Sequence, residues 1–180
     1  IAEGGMMGAS FGLAVPLWFA PKGVEDHFAW RRSTDFEHIA TEVKGVRQGV
    51  GLLEISGFAK YSIVGSGAAD WLDNILACRI PKPGRMTLAP MLNQKGKLIG
   101  DFTLSNIDSE EFYLVGSGIA EEYHLRWFEA NLKEQLPETE EVQVIPHGTG
   151  IVGLSIAGPK SYDLLSKVSD EDVSKSDFRF

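Results

Sequence analysis

Several large protein classes are excluded by what this sequence has little of. It contains one cysteine, Cys78, so no disulfide can form within the chain, and a reducing compartment fits: a bacterial cytoplasm or, alternatively, the mitochondrial matrix. Positive charge is scarce. Against 25 Asp and Glu stand 17 Lys and Arg, a net charge of −8, which argues against a nucleic-acid partner, since such binders carry a basic face. No apolar run is suited to crossing a membrane. The uncharged stretch from Gly4 to Pro21 comes nearest, but it holds four glycines and two prolines, and Pro16 would break a helix. Glu3 stands where a signal peptide would be basic. The stretch reads as an irregular arm laid over apolar protein surface, which hints at a larger parent; opening on Ile1 rather than Met, the chain reads as either processed or a piece of something longer. The remainder, 43% hydrophobic and 23% charged, is ordinary for a globular chain and excludes disorder and collagen. Its 180 residues suit one domain, or one with part of a second.

The pattern predicts an alternation of short strands and helices. Phe36, Ile39, Ala40, Val43 and Val46 recur at helical spacing, giving a helix from Asp35 to Arg47 with Ser33 or Thr34 as N-cap and Gly49 as its stop. Strands are expected at 50–55 and 58–64, then a helix from the Gly65-Ser66-Gly67 turn to about Ala77. Strands at 86–92, 98–107 and 111–115 follow. A second Gly-Ser-Gly, 116–118, opens a helix to about Leu132. Further strands are expected at 142–146 and 151–157, with a helix from Gly158-Pro159 to about Val168 and a short helix from Asp170. The run Lys60–Leu72 is echoed by Gly153–Leu165, with Ser, Ile, Gly, Asp and Leu in step. The chain thus divides into an arm (1–23), a first α+β unit (24–147) and the start of a related second unit (148–180) that cannot bury both its faces alone.

Several motifs carry no function. His147 to Gly153 contains a literal GxGxxG, but its glycines run into a strand instead of opening a helix, so no helix N-terminus is offered to a pyrophosphate. Ser155 is a near miss for a nucleophile elbow but lies within a strand pattern. His27, His38, His124 and His147 lack metal spacing and read as surface or cap residues. Cys78 reads as a buried apolar thiol.

The informative stretch is Pro83 to Leu104, a β-hairpin whose second strand carries one acid. Alternation puts Leu98, Gly100, Phe102 and Leu104 on one face, and Ile99, Asp101 and Thr103 on the other. A carboxylate in such a strand is either a functional group in a cavity or an edge charge that blunts aggregation; the residues leave both readings open.

This hairpin, with Gly51-Leu-Leu-Glu-Ile-Ser56 before it and Gly158-Pro159-Lys160 after it, resembles the aminomethyltransferase (glycine-cleavage T-protein) family. The segments Pro16-Leu-Trp18-Phe-Ala-Pro21, Trp30-Arg31-Arg32-Ser33 and Phe58-Ala-Lys60-Tyr61 are similar to the folate part of FAD-dependent dimethylglycine and sarcosine dehydrogenases. The resemblance implies an α+β fold, antiparallel-rich with packed helices and incomplete in its second unit. It implies tetrahydrofolate as cofactor, with FAD in a flavin domain before Ile1, and an N-methylated amino acid as the parent enzyme's substrate. Asp101 falls on the family's acid near the folate. Cofactor-binding positions carried over are Leu88, Met91, Asn93, Asp101, Thr103 and Gly116, the last where the family often has Asn. Glu54 and Gly57 follow the fused enzymes rather than free T-proteins. The implied function is one-carbon transfer giving methylenetetrahydrofolate. A free-standing aminomethyltransferase or folate-dependent demethylase, or a non-catalytic folate-binding module, are the alternatives.

Overall fold

The computed structural model describes residues 4–10, 12–135 and 141–173. The backbone divides into two compact units, one running to Leu53 and resuming at Ser155, the other spanning Glu54–Leu154.

In the first unit the expected irregular arm is a β-hairpin. Strand β1 (Gly5–Ser10) pairs antiparallel with β2 (Leu13–Phe19). The chain tolerates Pro16 because it lies beside a register shift: Met6 pairs with Trp18 and Met7 with Pro16, so Leu17 is skipped and the ladder is already interrupted there. Trp18 is buried and stacks on His38, ring centroids 5.4 Å apart. His38 belongs to helix α1 (Asp35–Gln48), which begins after Thr34 as expected. The Thr34 hydroxyl does not cap the helix, however; it accepts the backbone N–H of His27 at 3.0 Å. Strand β3 (Gly51–Glu54) pairs with β9 (Leu154–Ala157), and helix α4 (Ser161–Leu165) follows. This last helix is shorter than its pattern suggests, and no helix begins at Asp170 among the described residues.

The second unit is built on a five-stranded antiparallel sheet in the order β5-β6-β7-β4-β8. Its strands are β4 (Ala59–Val64), β5 (Arg85–Leu92), β6 (Leu98–Asn106), β7 (Glu111–Gly116) and β8 (Gln143–Pro146). Alternate residues Tyr61, Ile63, Phe102, Leu104, Phe112 and Leu114 point to one face and are buried. Helices α2 (Ala68–Ile75) and α3 (Glu121–Gln135) cover that face with Trp71, Leu72 and Phe128. Phe128 meets Tyr61 edge-on at 5.3 Å and Trp71 at 5.9 Å. The Tyr61 hydroxyl donates to the Glu121 carbonyl at 2.8 Å, tying α3 to the sheet. Helix α2 stops before Ala77 because Leu76 bridges to Met91 and Ala77 donates to Pro90.

Strand β9 starts three residues later than expected. Residues 151–153 are held outside a regular ladder: Gly153 accepts from Ile55 and donates to the Ser56 hydroxyl. The internal echo has a backbone counterpart. Gly65 and Gly158 take φ of +131° and +121°, a region L side chains avoid. A Cβ on either would collide with a carbonyl oxygen, Glu141 in one case and Gly49 in the other.

Candidate functional site

The helices occupy one face of the five-stranded sheet; the other carries a cleft of about 830 Å³ within the second unit, a size suited to a small molecule. Its floor follows from strand register. Leu88 pairs with Thr103, Thr103 with Val115, and Val115 with Lys60, so these four make one row across β5, β6, β7 and β4. Asp101 lies two residues from Thr103 on the same face of β6, opposite Pro90. Ile55, Phe58 and Ile119 add apolar walls, and Glu54 stands at the rim. The Asp101 side chain is exposed to the cleft and is bonded to no described residue.

Of the positions carried over from the family resemblance, Leu88, Asp101, Thr103 and Gly116 line this one cleft. Gly116 contributes backbone only: a Cβ there would stand 2.5 Å from the Phe102 ring. Met91 and Asn93 lie elsewhere. Met91 is an odd number of residues from Leu88, so it points to the helix side and is fully buried. Asn93 sits in the β5–β6 turn, its side-chain oxygen accepting the N–H groups of Lys95 and Lys97 at 2.9 and 3.0 Å.

Two further charged residues at this site, Glu54 and Lys60, were not among the expected site residues. Glu54 accepts the Ser56 N–H at 2.5 Å. Hydrogen bonding from Ser56, aided by the charge of Lys60, holds its carboxyl below the ordinary carboxylate range, against a smaller opposing effect of desolvation. Lys60 is only 4% exposed, and its ammonium donates to the carbonyls of Ser56 and Phe58 at 2.7 and 2.8 Å, bracing the loop that walls the cleft. A lysine of opposite parity to Ala59, Tyr61 and Ile63 was the available signal.

The histidines serve varied structural ends. His147 bonds Ser62 at 2.8 Å. His124, expected at the surface, is buried. Burial, then Asp73, push the Cys78 thiol up, unlike an activated cysteine. Among the described residues no group of three metal-ligating side chains converges, and no helix is long and apolar enough to cross a membrane.

A second groove, about 550 Å³, lies in the first unit among Val43, Val46, Leu52 and Leu53 and holds none of the expected site residues. Its lining is mainly apolar, with Glu42 as its one acid beside Arg47, whereas the cleft at Asp101 holds two acids, Glu54 and Asp101.

The sequence profile of the GCVT N-terminal domain matches residues 1–180. The chain belongs to this family. The mitochondrial dimethylglycine dehydrogenase of Mus musculus is 32% identical over 97% of the chain and 20% of its own length. An aminomethyltransferase from Thermoanaerobacter sp. (strain X514) is 28% identical over 85% of the chain and 41% of its own length. The crystal structure of the glycine cleavage system aminomethyltransferase T from Bartonella henselae superposes with a TM-score of 0.69 at 20% identity, over 92% of this chain and 40% of that one. The α+β fold expected from the sequence is thus that of a GCVT domain, and the chain is an aminomethyltransferase-like domain. It spans about a fifth of the dimethylglycine dehydrogenase it matches.

Proposed function

We propose that the cleft binds tetrahydrofolate and that Asp101 is the base for one-carbon transfer within an FAD-dependent dimethylglycine or sarcosine dehydrogenase. The observation that carries this reading is the Asp101 carboxylate, without a partner among the described residues, in a largely apolar cleft. The chemistry of the lining fits such a ligand. Leu88, Val115 and Ile119 suit the faces of a flat ring system, while Glu54 and Asp101 suit its N–H donors. In this reading FAD is held by a separate flavin domain of the parent dehydrogenase. Tetrahydrofolate, when bound, would supply the amine that takes the one-carbon unit from the iminium left by oxidation of an N-methylated amino acid, with the demethylated amino acid as leaving group and methylenetetrahydrofolate as product. Asp101 takes up the proton that this amine sheds and offsets the positive charge beside it. Thr103 offers a hydroxyl two residues along the same face. Similarity to a mitochondrial dehydrogenase supports the mitochondrial alternative for the compartment.

The match to the Thermoanaerobacter aminomethyltransferase supports a second reading, a free-standing enzyme of that class without a flavin partner. In the full-length protein, amine oxidation and methylenetetrahydrofolate yield are measured side by side for Asp101→Asn. Loss of a positioned base lowers transfer about 10²–10⁴-fold, roughly 3–5 kcal/mol of barrier, while oxidation continues and formaldehyde is released. Equal loss of both activities makes Asp101 structural; loss of neither makes it an edge charge.

A further inference from the structure

His124, on α3, is buried to 1% exposure, with Nδ1 lacking any partner among the described residues. Its Nε2 lies 3.0 Å from the carbonyl oxygen of Ile99. A carbonyl can only accept, so Nε2 carries the proton and Nδ1 is left as a stranded acceptor. An aliphatic side chain would fill this core without stranding a polar atom. The gain from the imidazole therefore lies in what its Nε2–H holds.

What it holds is a bulge. The register of β5 and β6 steps from Met91–Gly100 to Leu92–Leu98, so Ile99 has no residue opposite it. The bulge also exchanges the two residues beside it: Leu98 is exposed, and Ile99 packs against the core, the reverse of simple alternation. The His124 ring approaches the next residue so closely that a Cβ on Gly100 would stand 2.6 Å from Nε2. Phe102 then packs on the imidazole at 4.9 Å. Asp101 lies between Gly100 and Phe102, pointing the other way.

We propose that His124 is a positioning residue for Asp101: through the Ile99 carbonyl and the Gly100–Phe102 segment it fixes, from behind the sheet, where the carboxylate projects into the cleft. The role rests on the reading of Asp101 as the base for folate chemistry, and the test separates the two.

In the full-length protein, His124→Leu and His124→Gln are compared with wild type, each with and without Asp101→Asn. His124→Leu raises hydrogen exchange across residues 98–102 about tenfold and leaves β4 and β7 protected, and His124→Gln, which keeps a donor, restores most of the protection. The yield of methylenetetrahydrofolate per amine oxidised falls about tenfold in His124→Leu but does not fall further when that change is added to Asp101→Asn, because the two act as one unit. Equal losses in both backgrounds, or unchanged exchange at 98–102, overturn the proposal. If Asp101→Asn transfers like wild type, the functional reading fails instead, and the exchange data still decide whether His124 holds the bulge. Should His124→Leu not fold, Gly100→Ala displaces the ring and carries the same expectations.

Discussion

At Asp101 the electrostatic setting is made by neighbours with different histories. Hydrogen bonding from Ser56 lowers the pKa of Glu54, and the charge of Lys60 adds a smaller effect in the same direction. The depressed pKa of Glu54 in the folded chain means that its stabilising contribution is present above the ordinary value of 4.5 and is lost as pH falls through the folded value. Glu54→Gln therefore unfolds at lower temperature than wild type at neutral pH, and the two melting curves converge in acid; a pH series of thermal melts checks this. The separation is small, since the group is solvated. Lys60 behaves differently because it is buried. Lys60→Met leaves the carbonyls of Ser56 and Phe58 without their donor and loosens the cleft wall, destabilising the protein by about 1–3 kcal/mol in urea unfolding.

Strands and helices of the second unit were legible wherever hydrophobic period and glycine turns agreed. Alternation in β6 put Asp101 and Thr103 opposite Phe102 and Leu104, and they lie so. The Ile99 bulge was not legible, because His124, 25 residues further on, is what holds it. Met91 was grouped with Leu88 although strand parity separates them. The hairpin at β1 and β2 was hidden by its glycines and Pro16, which read as irregular until the register shift beside Pro16 is seen. Helix α3 was legible as an element but not in its importance, since Phe128 touches Tyr61, Trp71 and Phe102 at once. Phe128→Ala is expected to destabilise the fold by about 3–5 kcal/mol, the range for deleting a buried aromatic ring, as read by chemical denaturation.

Among the described residues the two larger concave surfaces lie one in each unit, and they differ in chemistry as well as in size. The groove of the first unit is apolar around Leu52 and Leu53. The cleft of the second pairs apolar walls with Asp101 and Glu54. Leu88 and Leu52 are exposed to similar extents, 66% and 60%, so an acid at either position leaves the core intact and tests only the surface it lines. The direct measurement is calorimetric titration of the full-length protein with tetrahydrofolate, wild type against Leu88→Asp and Leu52→Asp. The account predicts that Leu88→Asp weakens binding by about tenfold or more, 1.4 kcal/mol, while Leu52→Asp binds as wild type does. Equal affinity for wild type and Leu88→Asp, or a loss confined to Leu52→Asp, would contradict the assignment of the folate to the cleft at Asp101.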